Sequence, residues 1–309
     1  MSTSRRAILT TATAALGATA LTGLGTAPAQ AAAQAAAPAP ASASGRFTAL
    51  ERRHGARLGV FAHDLRTGRT VRHRADERFP MCSTFKTFVA AAVLRDLDED
   101  GEFLARRIHY TQADIDRAVG APVTGKPENL ANGMTVDELC GAAISYSDNT
   151  AANLLMERLG GPTAVTRFVR SAGDRVTRLD RWEPDLNSAE PGRVTDTSTP
   201  RALGKTYARL VLGNALEPAD RDRLTRWLLD NTTSGERFRA ALPADWILGD
   251  KTGTGRYGTA NDVGIAWTPD GAPVILSVLS TKPDTDTAEE GDSVLVRRAA
   301  ELIVDSLAA

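Results

Sequence analysis

The chain has 309 residues, of which 42% are hydrophobic and 24% charged, and its formal net charge is −1. These values are typical of a globular protein with one large domain or two modest ones. They exclude a strongly basic surface, so no nucleic-acid partner is expected. The four histidines form no H-x-H or H-E-x-x-H pattern and the two cysteines lie far apart, so neither a metal site nor a cofactor is expected.

The N-terminus has the pattern of an export signal. Arg5 and Arg6 precede an uncharged stretch, and Ala29–Ala31 fits the A-x-A rule for signal cleavage. We therefore expect residues 1–31 to be a signal peptide and the mature protein to be secreted, extracellular or periplasmic. The paired arginines favour twin-arginine export, with the Sec route as the alternative. The apolar stretch is too short and too rich in small residues to predict a stable membrane anchor.

The next segment, residues 32–45, is almost entirely Ala, Pro, Gln and Ser, which predicts a disordered leader. A short helix is predicted over about 46–54, followed by a hairpin with strands at 58–64 and 70–73. After Pro80, apolar residues recur at i, i+3, i+4, i+7 and i+8, which predicts a helix from about Ser83 to Leu97.

Further along, Thr135–Glu138 has the form of a capping box and predicts a helix through Ile144. Asp148 can cap another helix that ends at Gly160, and helices dominate to about residue 230. Strands are predicted at 245–250, 263–268 and 273–280, and a final helix at 293–307. This order predicts an α+β fold in two lobes, an antiparallel sheet built from both chain ends and a helical lobe inserted between them.

Three short motifs carry the chemistry. They are Ser-x-x-Lys at Ser83–Lys86, Ser-Asp-Asn at Ser147–Asn149 and Lys-Thr-Gly at Lys251–Gly253. On a helix, positions i and i+3 share one face, so Lys86 can lie beside the Ser83 hydroxyl. At a helix start, backbone N–H groups lack intrahelical partners and can stabilise an oxyanion. Each motif alone is common, but the three together indicate a serine acyl-transfer site.

These motifs in this order are those of class A β-lactamases and penicillin-binding proteins. A further segment at 181–187, R-W-E-P-D-L-N, separates the hydrolases from the penicillin binders. From about Arg46 to the C-terminus the chain resembles a class A serine β-lactamase. The resemblance implies a monomer with the β-lactamase/transpeptidase-like fold. Its α/β sandwich lobe, with an antiparallel five-stranded sheet, would span about 46–79 plus 231–309, and its all-α lobe about 80–230.

The resemblance also implies a role for each site residue. Ser83 would be the nucleophile and Ser147 would relay a proton to the leaving nitrogen. Either Lys86 or Glu183, through a water, would be the base for acylation. Glu183 and Asn187 would activate and hold the water that hydrolyses the acyl-enzyme. The substrate would be bound by Asn149, Lys251, Thr252, Gly253, Thr254 and Arg237.

The implied function is hydrolysis of the β-lactam ring of penicillins, with room for cephalosporins, and hence antibiotic resistance. The alternative is a penicillin-binding sensor or a D-alanyl-D-alanine carboxypeptidase that is acylated but releases β-lactams slowly; a serine-dependent glutaminase is another enzyme of this type. The resemblance implies a cis Glu183–Pro184 bond and an Arg181–Asp196 ion pair. No disulfide is expected, because Ala90 occupies the position where some relatives have the cysteine that would pair with Cys140.

Overall fold

The structure, a computed structural model, describes residues 43–285, 288 and 290–308. The predicted signal peptide and residues 32–42 of the predicted leader lie outside this range. Residues 43–45 do not belong to a disordered leader as predicted, because the first helix already includes them.

The helices are α1 (Ala43–His54), α2 (Lys86–Asp96), α3 (Glu102–Ala105), α4 (Gln112–Ala118), α5 (Pro127–Asn132), α6 (Val136–Ser145), α7 (Asn149–Leu159), α8 (Pro162–Ser171), α9 (Pro200–Val211), α10 (Pro218–Leu229), α11 (Phe238–Ala241) and α12 (Ser293–Ala308). The strands are β1 (Arg57–Asp64), β2 (Thr70–His73), β3 (Phe79–Pro80), β4 (Arg107–Ile108), β5 (Met134–Thr135), β6 (Thr197–Ser198), β7 (Ile247–Gly255), β8 (Thr259–Trp267) and β9 (Pro273–Thr281). Short 3-10 turns occupy Cys82–Phe85 and Asp185–Ser188.

The five long strands form one antiparallel sheet in the order β2-β1-β9-β8-β7. Successive residues of β1 face opposite sides, as the pleat requires. Val60 packs against the terminal helices α1 and α12 in one apolar cluster, and Phe61 belongs to the larger cluster on the other side. The α+β fold with a five-stranded antiparallel sheet and terminal helices is therefore confirmed. Because β7 is an edge strand, its outer backbone groups have no neighbouring strand.

Helix α2 lies at the centre of the helical part and is buried on every side, with all residues from Lys86 to Leu94 inaccessible to solvent or nearly so. It contacts α6, α7, α8 and α10. The run Ala90–Ala92 has small side chains, which allow neighbouring helices to approach closely. A buried helix of this kind holds the residue at its start in a fixed position.

Two strand boundaries differ from the prediction by more than two residues. Strand β7 continues past residue 250 to Gly255, and β8 begins at Thr259 rather than at residue 263. The added residues are Lys, Thr, Gly, Ala, Asn and Asp. All but threonine have weak strand propensity, and together they show no apolar alternation. They are extended because β7 and β8 pair in register from Ile247↔Trp267 to Gly255↔Thr259. The pairing of β7 with β8 thus places the Lys-Thr-Gly motif on a strand.

Candidate active site

Ser83 lies in the 3-10 turn directly before α2 and is buried. The turn is attached to the sheet by Asn261, whose Nδ2 donates to the backbone oxygens of Pro80 at 2.9 Å and Met81 at 3.0 Å. A Cβ at Gly253 would lie 2.7 Å from the Met81 oxygen, so only glycine allows β7 to come this close. The first and third motifs therefore meet, as predicted.

Lys86 joins the other parts of the site. Its Nζ donates to the backbone oxygen of Ser147 at 2.7 Å and to Oδ1 of Asn149 at 2.6 Å, and it lies 3.1 Å from Oε1 of Glu183. The Ser147 hydroxyl is 3.4 Å from the same nitrogen. A lysine ammonium has three N–H donors, so three close oxygens match its protonated form. The resting contacts are those of a charged Lys86 beside a carboxylate.

Glu183 is buried, and both its side chain and its backbone have specific partners. Oε2 accepts from Nδ2 of Asn187 at 2.5 Å. The backbone is held by Asn153 on α7, which donates to the Glu183 oxygen at 3.0 Å and accepts from its N–H at 3.1 Å. The Glu183–Pro184 bond is cis, which confirms that prediction. Glu183 thus faces the inside of the site and not the bulk solvent.

The loop that carries Glu183 is closed at its two ends by an ion pair. Arg181 Nε donates to Oδ2 of Asp196 at 2.5 Å, which confirms the predicted pair. Asp196 also accepts from the backbone N–H groups of Asp180 at 2.7 Å and Arg181 at 3.0 Å. On its other edge the Arg181 guanidinium contacts Glu190. Side chains therefore hold most of the segment formed by residues 181–196, the 181–196 loop.

The Ser-Asp-Asn motif forms a strained turn before α7. Ser147 has φ +58, a backbone conformation that non-glycine residues rarely adopt. Asp148 accepts from the backbone N–H of Ala151 at 2.9 Å and so caps the helix, as predicted. It also accepts from the N–H groups of Val123 and Thr124 at 3.0 and 2.8 Å. These contacts fix the backbone that supplies an oxygen to Lys86.

Lys251 is fully buried on β7, where its Nζ donates to the Thr252 oxygen at 3.0 Å. Burial, and secondly the charge of Lys86, lower the pKa of Lys251 to about 7. The buried carboxyl groups of Asp250 and Asp262 act on Lys251 by their charge, and burial is the main cause that raises the pKa of both. Lys251 is thus protonated below about pH 7 and loses its charge within the physiological range.

Arg237 is buried beside the Lys-Thr-Gly motif and is not the solvated surface residue that an isolated arginine would usually be. Its Nη2 donates to Oγ1 of Thr254 at 2.7 Å, and its Nη1 donates to the oxygens of Gly253 at 2.9 Å and Asn261 at 2.8 Å. Burial lowers the pKa of Arg237, but an arginine remains charged in proteins. Lys251 on β7 and Arg237 packed against β7 therefore place two cationic side chains at this strand.

A groove of about 380 Å³ opens between the 181–196 loop and the end of β7. Its lining consists of Pro184, Asp185, Asn187, Ser188, Thr254, Gly255, Arg256 and Ala288. Two of these lining residues join the loop to the strand end, since the Arg256 N–H donates to the Asn187 oxygen at 2.9 Å. This groove can hold a substrate side chain next to the buried catalytic groups.

Cys82 directly precedes Ser83, but it is not a competing nucleophile. Both cysteines are free and buried, and burial raises the pKa of the Cys82 thiol well above its usual range. In the described part of the chain, no group of three or more His, Cys, Asp or Glu side chains is placed to hold a metal ion. Over the same residues, no helix is long and apolar enough to cross a bilayer.

The structure brings the predicted residues into one site. Ser147, Asn149 and Glu183 contact Lys86, and Asn187 contacts Glu183. Arg237 packs against β7. Three supporting residues were not predicted, namely Asn153, Asn261 and Ser293, whose Oγ accepts from Arg237 Nε at 3.1 Å. Asn153 could have been found, because it lies one helical turn after Asn149 on an otherwise apolar face. Nothing in the sequence marks Ser293.

Comparisons with known proteins agree with this geometry. The model of the "Beta-lactamase enzyme family" matches residues 43–307. A β-lactamase of Streptomyces fradiae is 65% identical over 263 residues, which cover 85% of each chain. The solved structure of a β-lactamase from Streptomyces albus G is 65% identical with a TM-score of 0.84, covering 86% of this chain and 99% of the other. An ancestral class A β-lactamase structure is 50% identical with a TM-score of 0.79, covering 86% and 100%.

A family match over residues 43–307 and relatives at 65% identity show the family. The catalytic motifs of this site are also those that define the serine enzymes of the family. The chain therefore belongs to the β-lactamase enzyme family, as a class A serine β-lactamase whose hydrolysis of the β-lactam ring confers antibiotic resistance.

Proposed function

We propose that the chain hydrolyses β-lactams in two steps, through an ester on Ser83 that is released by a water activated by Glu183. The observation that carries this proposal is the position of the Glu183 carboxylate. It is buried, 3.1 Å from Lys86 Nζ and 2.5 Å from Asn187 Nδ2. A water held by Glu183 and Asn187 would lie within reach of an ester on Ser83, the arrangement that general-base hydrolysis requires.

In the first step the Ser83 oxygen forms a bond to the lactam carbonyl carbon, and the ring C–N bond breaks. The backbone N–H groups of Ser83 and Thr254 stabilise the oxyanion, since one belongs to a helix-start turn and the other to the edge strand β7. Ser147 passes a proton to the departing nitrogen. Because its hydroxyl is 3.4 Å from Lys86 Nζ, that proton can be replaced from the lysine.

The base that takes the Ser83 proton is either Lys86 or Glu183 through a water. Lys86 donates to oxygens at 2.6 and 2.7 Å, so in the resting state it holds its proton and must pass it on before it can accept another. Glu183 lies 3.1 Å away and can receive that proton. Because Lys86 and Glu183 are in contact, they can exchange a proton. Whichever of them takes the Ser83 proton, the buried Glu183 carboxylate therefore takes part in acylation.

Substrate binding uses the charges on the β7 side. Lys251 and Arg237 attract the carboxylate of a penicillin, and the hydroxyls of Thr252 and Thr254 give it direction. Gly253 supplies the close approach of β7 to the Ser83 turn. Asn149 donates to the amide oxygen of the substrate side chain after leaving its present acceptors, the backbone oxygens of Ala118 and Val119.

In the second step the activated water attacks the ester carbon, the bond to the Ser83 oxygen breaks, and Ser83 regains a proton. A penicillin-binding sensor or a carboxypeptidase would be acylated in the same way but would lack a base aimed at the β-lactam ester. The buried Glu183–Asn187 pair favours hydrolysis over both alternatives. Penicillins are the primary substrates, and the groove beside Thr254 leaves room for cephalosporin side chains.

The test is to count product per enzyme with benzylpenicillin and with a chromogenic cephalosporin. Many turnovers are expected, whereas one equivalent of product and a lasting mass increase would identify a sensor. The Ser83→Ala variant controls for hydrolysis that does not use the serine, and it should show neither turnover nor covalent adduct. Turnover that persisted in Ser83→Ala would remove the acyl-enzyme from the mechanism.

Export is a second part of the proposal, supported by the sequence pattern alone. Residues 1–31, with Arg5, Arg6 and the A-x-A site at Ala29–Ala31, would direct the chain out of the cytoplasm by the twin-arginine route. The mature protein would be a secreted monomer with lobes at about 46–79 plus 231–309 and 80–230. N-terminal sequencing of the exported protein tests the cleavage site, and replacing both arginines by lysine tests the route.

A further inference from the structure

Helix α9 presents a row of cations to solvent. Arg201, Lys205 and Arg209 recur at i, i+4 and i+8, so they share one face and extend over about 12 Å along the helix axis. The opposite face of α9 is buried against the sheet, where Leu203 and Tyr207 are inaccessible to solvent. The row of cations is therefore carried by a helix that is firmly packed on its other side.

The row extends at its first end toward strand β2. Arg201 donates to Asp76 through Nε at 2.7 Å and through Nη2 at 2.9 Å. This hydrogen bonding lowers the pKa of Asp76, and the charges of Arg72 and Lys205 lower it further. All three cations therefore lie near the same carboxylate, which joins Arg72 of β2 to the row on α9.

The row extends at its second end onto the turn after α8. The Arg209 guanidinium lies against Gly173, because a Cβ at that position would be 3.4 Å from Arg209 Nη1 and 3.5 Å from Cζ. Gly173 has φ +85, a conformation that favours glycine, so no side chain separates Arg209 from the turn. Arg175 follows two residues later and is exposed. The cations thus continue from α9 onto this turn.

Most of these cations have no counter-ion in the protein. We call the five residues the basic stripe: Arg72, Arg175, Arg201, Lys205 and Arg209. Within the ranges that the structure describes, only Arg201 among them forms an ion pair, with Asp76. The expectation of no strongly basic surface therefore fails at this face, because the net charge of −1 is a sum over the whole chain and does not report where the charges lie.

The surroundings of the basic stripe favour a partner in solution over a bilayer. In the described part of the chain, no exposed large hydrophobic side chain belongs to α9 or to residues 171–175. A helix that binds a membrane surface needs such side chains next to its cations. No residue of the basic stripe lines the groove beside Thr254, so a partner on the stripe leaves that groove open.

We propose that the basic stripe binds a flexible polymer of phosphate groups. Such a polymer carries charge along its whole length, so it matches cations that lie about 6 Å apart along α9 and can bend with the stripe at Gly173. The guanidinium fork of arginine fits phosphate oxygens, and four of the five residues are arginines. Because phosphate contacts release counter-ions, the binding should weaken steeply as salt is added.

The experiment measures the Kd of the purified protein for fluorescently labelled linear polyphosphate by anisotropy, at several salt concentrations. Binding is expected in low salt. Lys205→Gln combined with Arg209→Gln should weaken it about tenfold and reduce the slope of log Kd against log salt concentration by about 1.5. Hydrolysis of benzylpenicillin should stay unchanged in this variant. Absence of binding by the parent protein in low salt would overturn the proposal.

Arg52→Gln combined with Arg53→Gln is the matched control, since it removes two exposed charges from the last turn of α1, across the sheet from α9. It should bind polyphosphate like the parent. Weakening equal to that of the α9 variant would show that total charge, and not the basic stripe, decides the binding. Vesicles with anionic phospholipid and duplex DNA are tested at the same phosphate concentration, and tighter binding to either would contradict a flexible polymer as the partner.

Discussion

The two walls of the catalytic cleft are built by different means. On one side, β7 carries Lys251–Thr254 on a backbone ladder that pairs without interruption with β8. On the other side, Glu183 and Asn187 lie on the irregular 181–196 loop, which is held by the Arg181–Asp196 pair and by Asn153. One wall thus repeats a regular pattern, and the other depends on a few individual side chains.

This difference predicts how each wall responds to mutation. A strand ladder distributes its hydrogen bonds over many residues, so that a side chain on β7 can change without displacing its neighbours. The 181–196 loop has few backbone bonds of its own, and removing one buried side chain leaves several polar groups without partners. We expect single substitutions to affect chemistry and stability together on the loop. On the strand they should affect chemistry alone, except at Gly253, where any side chain would clash with the Met81 oxygen.

The largest effect is expected at the catalytic carboxylate. Glu183→Gln removes the base for deacylation, so kcat should fall about a thousandfold while acylation still occurs. Intact-protein mass spectrometry should then detect a stable adduct of the substrate's mass. Glu190→Gln, the same change on the outer part of the same loop, should cost only a few-fold. Unchanged steady-state turnover in Glu183→Gln would contradict the assignment.

Breaking the ion pair of the loop should cost the most stability. Asp196 is buried and its partner Arg181 is partly exposed, so Asp196→Ala leaves Arg181 Nε and two backbone N–H groups without their acceptor. The expected loss is about 3 kcal/mol of unfolding free energy. Urea titration measures it, and the exposed pair Asp76–Arg201 supplies the control Asp76→Ala, expected to cost under about 1 kcal/mol. Equal losses in both variants would show that the loop is not held in this way.

A smaller effect is expected at Asn153, whose side chain bonds the backbone of Glu183. Asn153→Ala leaves the Glu183 N–H and C=O buried without partners, at a cost of about 2 kcal/mol, and should slow deacylation more than acylation. Pre-steady-state kinetics separates the two steps. Asn132→Ala is the matched control, since Asn132 bonds a backbone oxygen on the exposed surface. Equal slowing of both steps would mean that Asn153 supports the whole site and not Glu183 alone.

On the strand side, the pH dependence should report Lys251. Because its pKa is lowered to about 7, Lys251 is charged below that pH and loses its charge as the pH rises. We expect kcat/KM for benzylpenicillin to fall about tenfold on the alkaline side, the cost of one charge-assisted contact. The methyl ester should lack this limb. Lys251→Arg, which stays protonated, should abolish it for the acid; a limb that survived in Lys251→Arg would belong to another group.

The smallest effect is expected from reducing agents, because no disulfide joins Cys82 to Cys140 in either wall of the cleft. Cys82 and Cys140 are both free, so a reductant should leave the unfolding midpoint and the activity unchanged. Thiol titration of the unfolded protein should find two reactive groups per chain. A midpoint that falls on reduction would reveal a bridge and contradict the structure.

The sequence predicted the regular elements well where the local signal was strong. The capping box at Thr135 and Glu138 forms in the structure, and Asp148 caps α7. Local signals failed where pairing partners decide the conformation. Residues 251–255 of β7 and 259–262 of β8 are polar or small, and they are extended only because each strand pairs with the other.

The sequence by itself determined the motif set, its order and the expected chemistry, because serine acyl transfer needs these residue types at spacings that a helix start, a cap and a strand provide. Only the tertiary structure decided that Lys86 bonds the Ser147 oxygen and Asn149 while facing Glu183, that Asn153 holds Glu183, and that Ser293 reaches Arg237. The physical reason is that these contacts join residues dozens of positions apart. Their geometry depends on how α2, α7, α12 and the sheet pack together, and no local pattern records that packing.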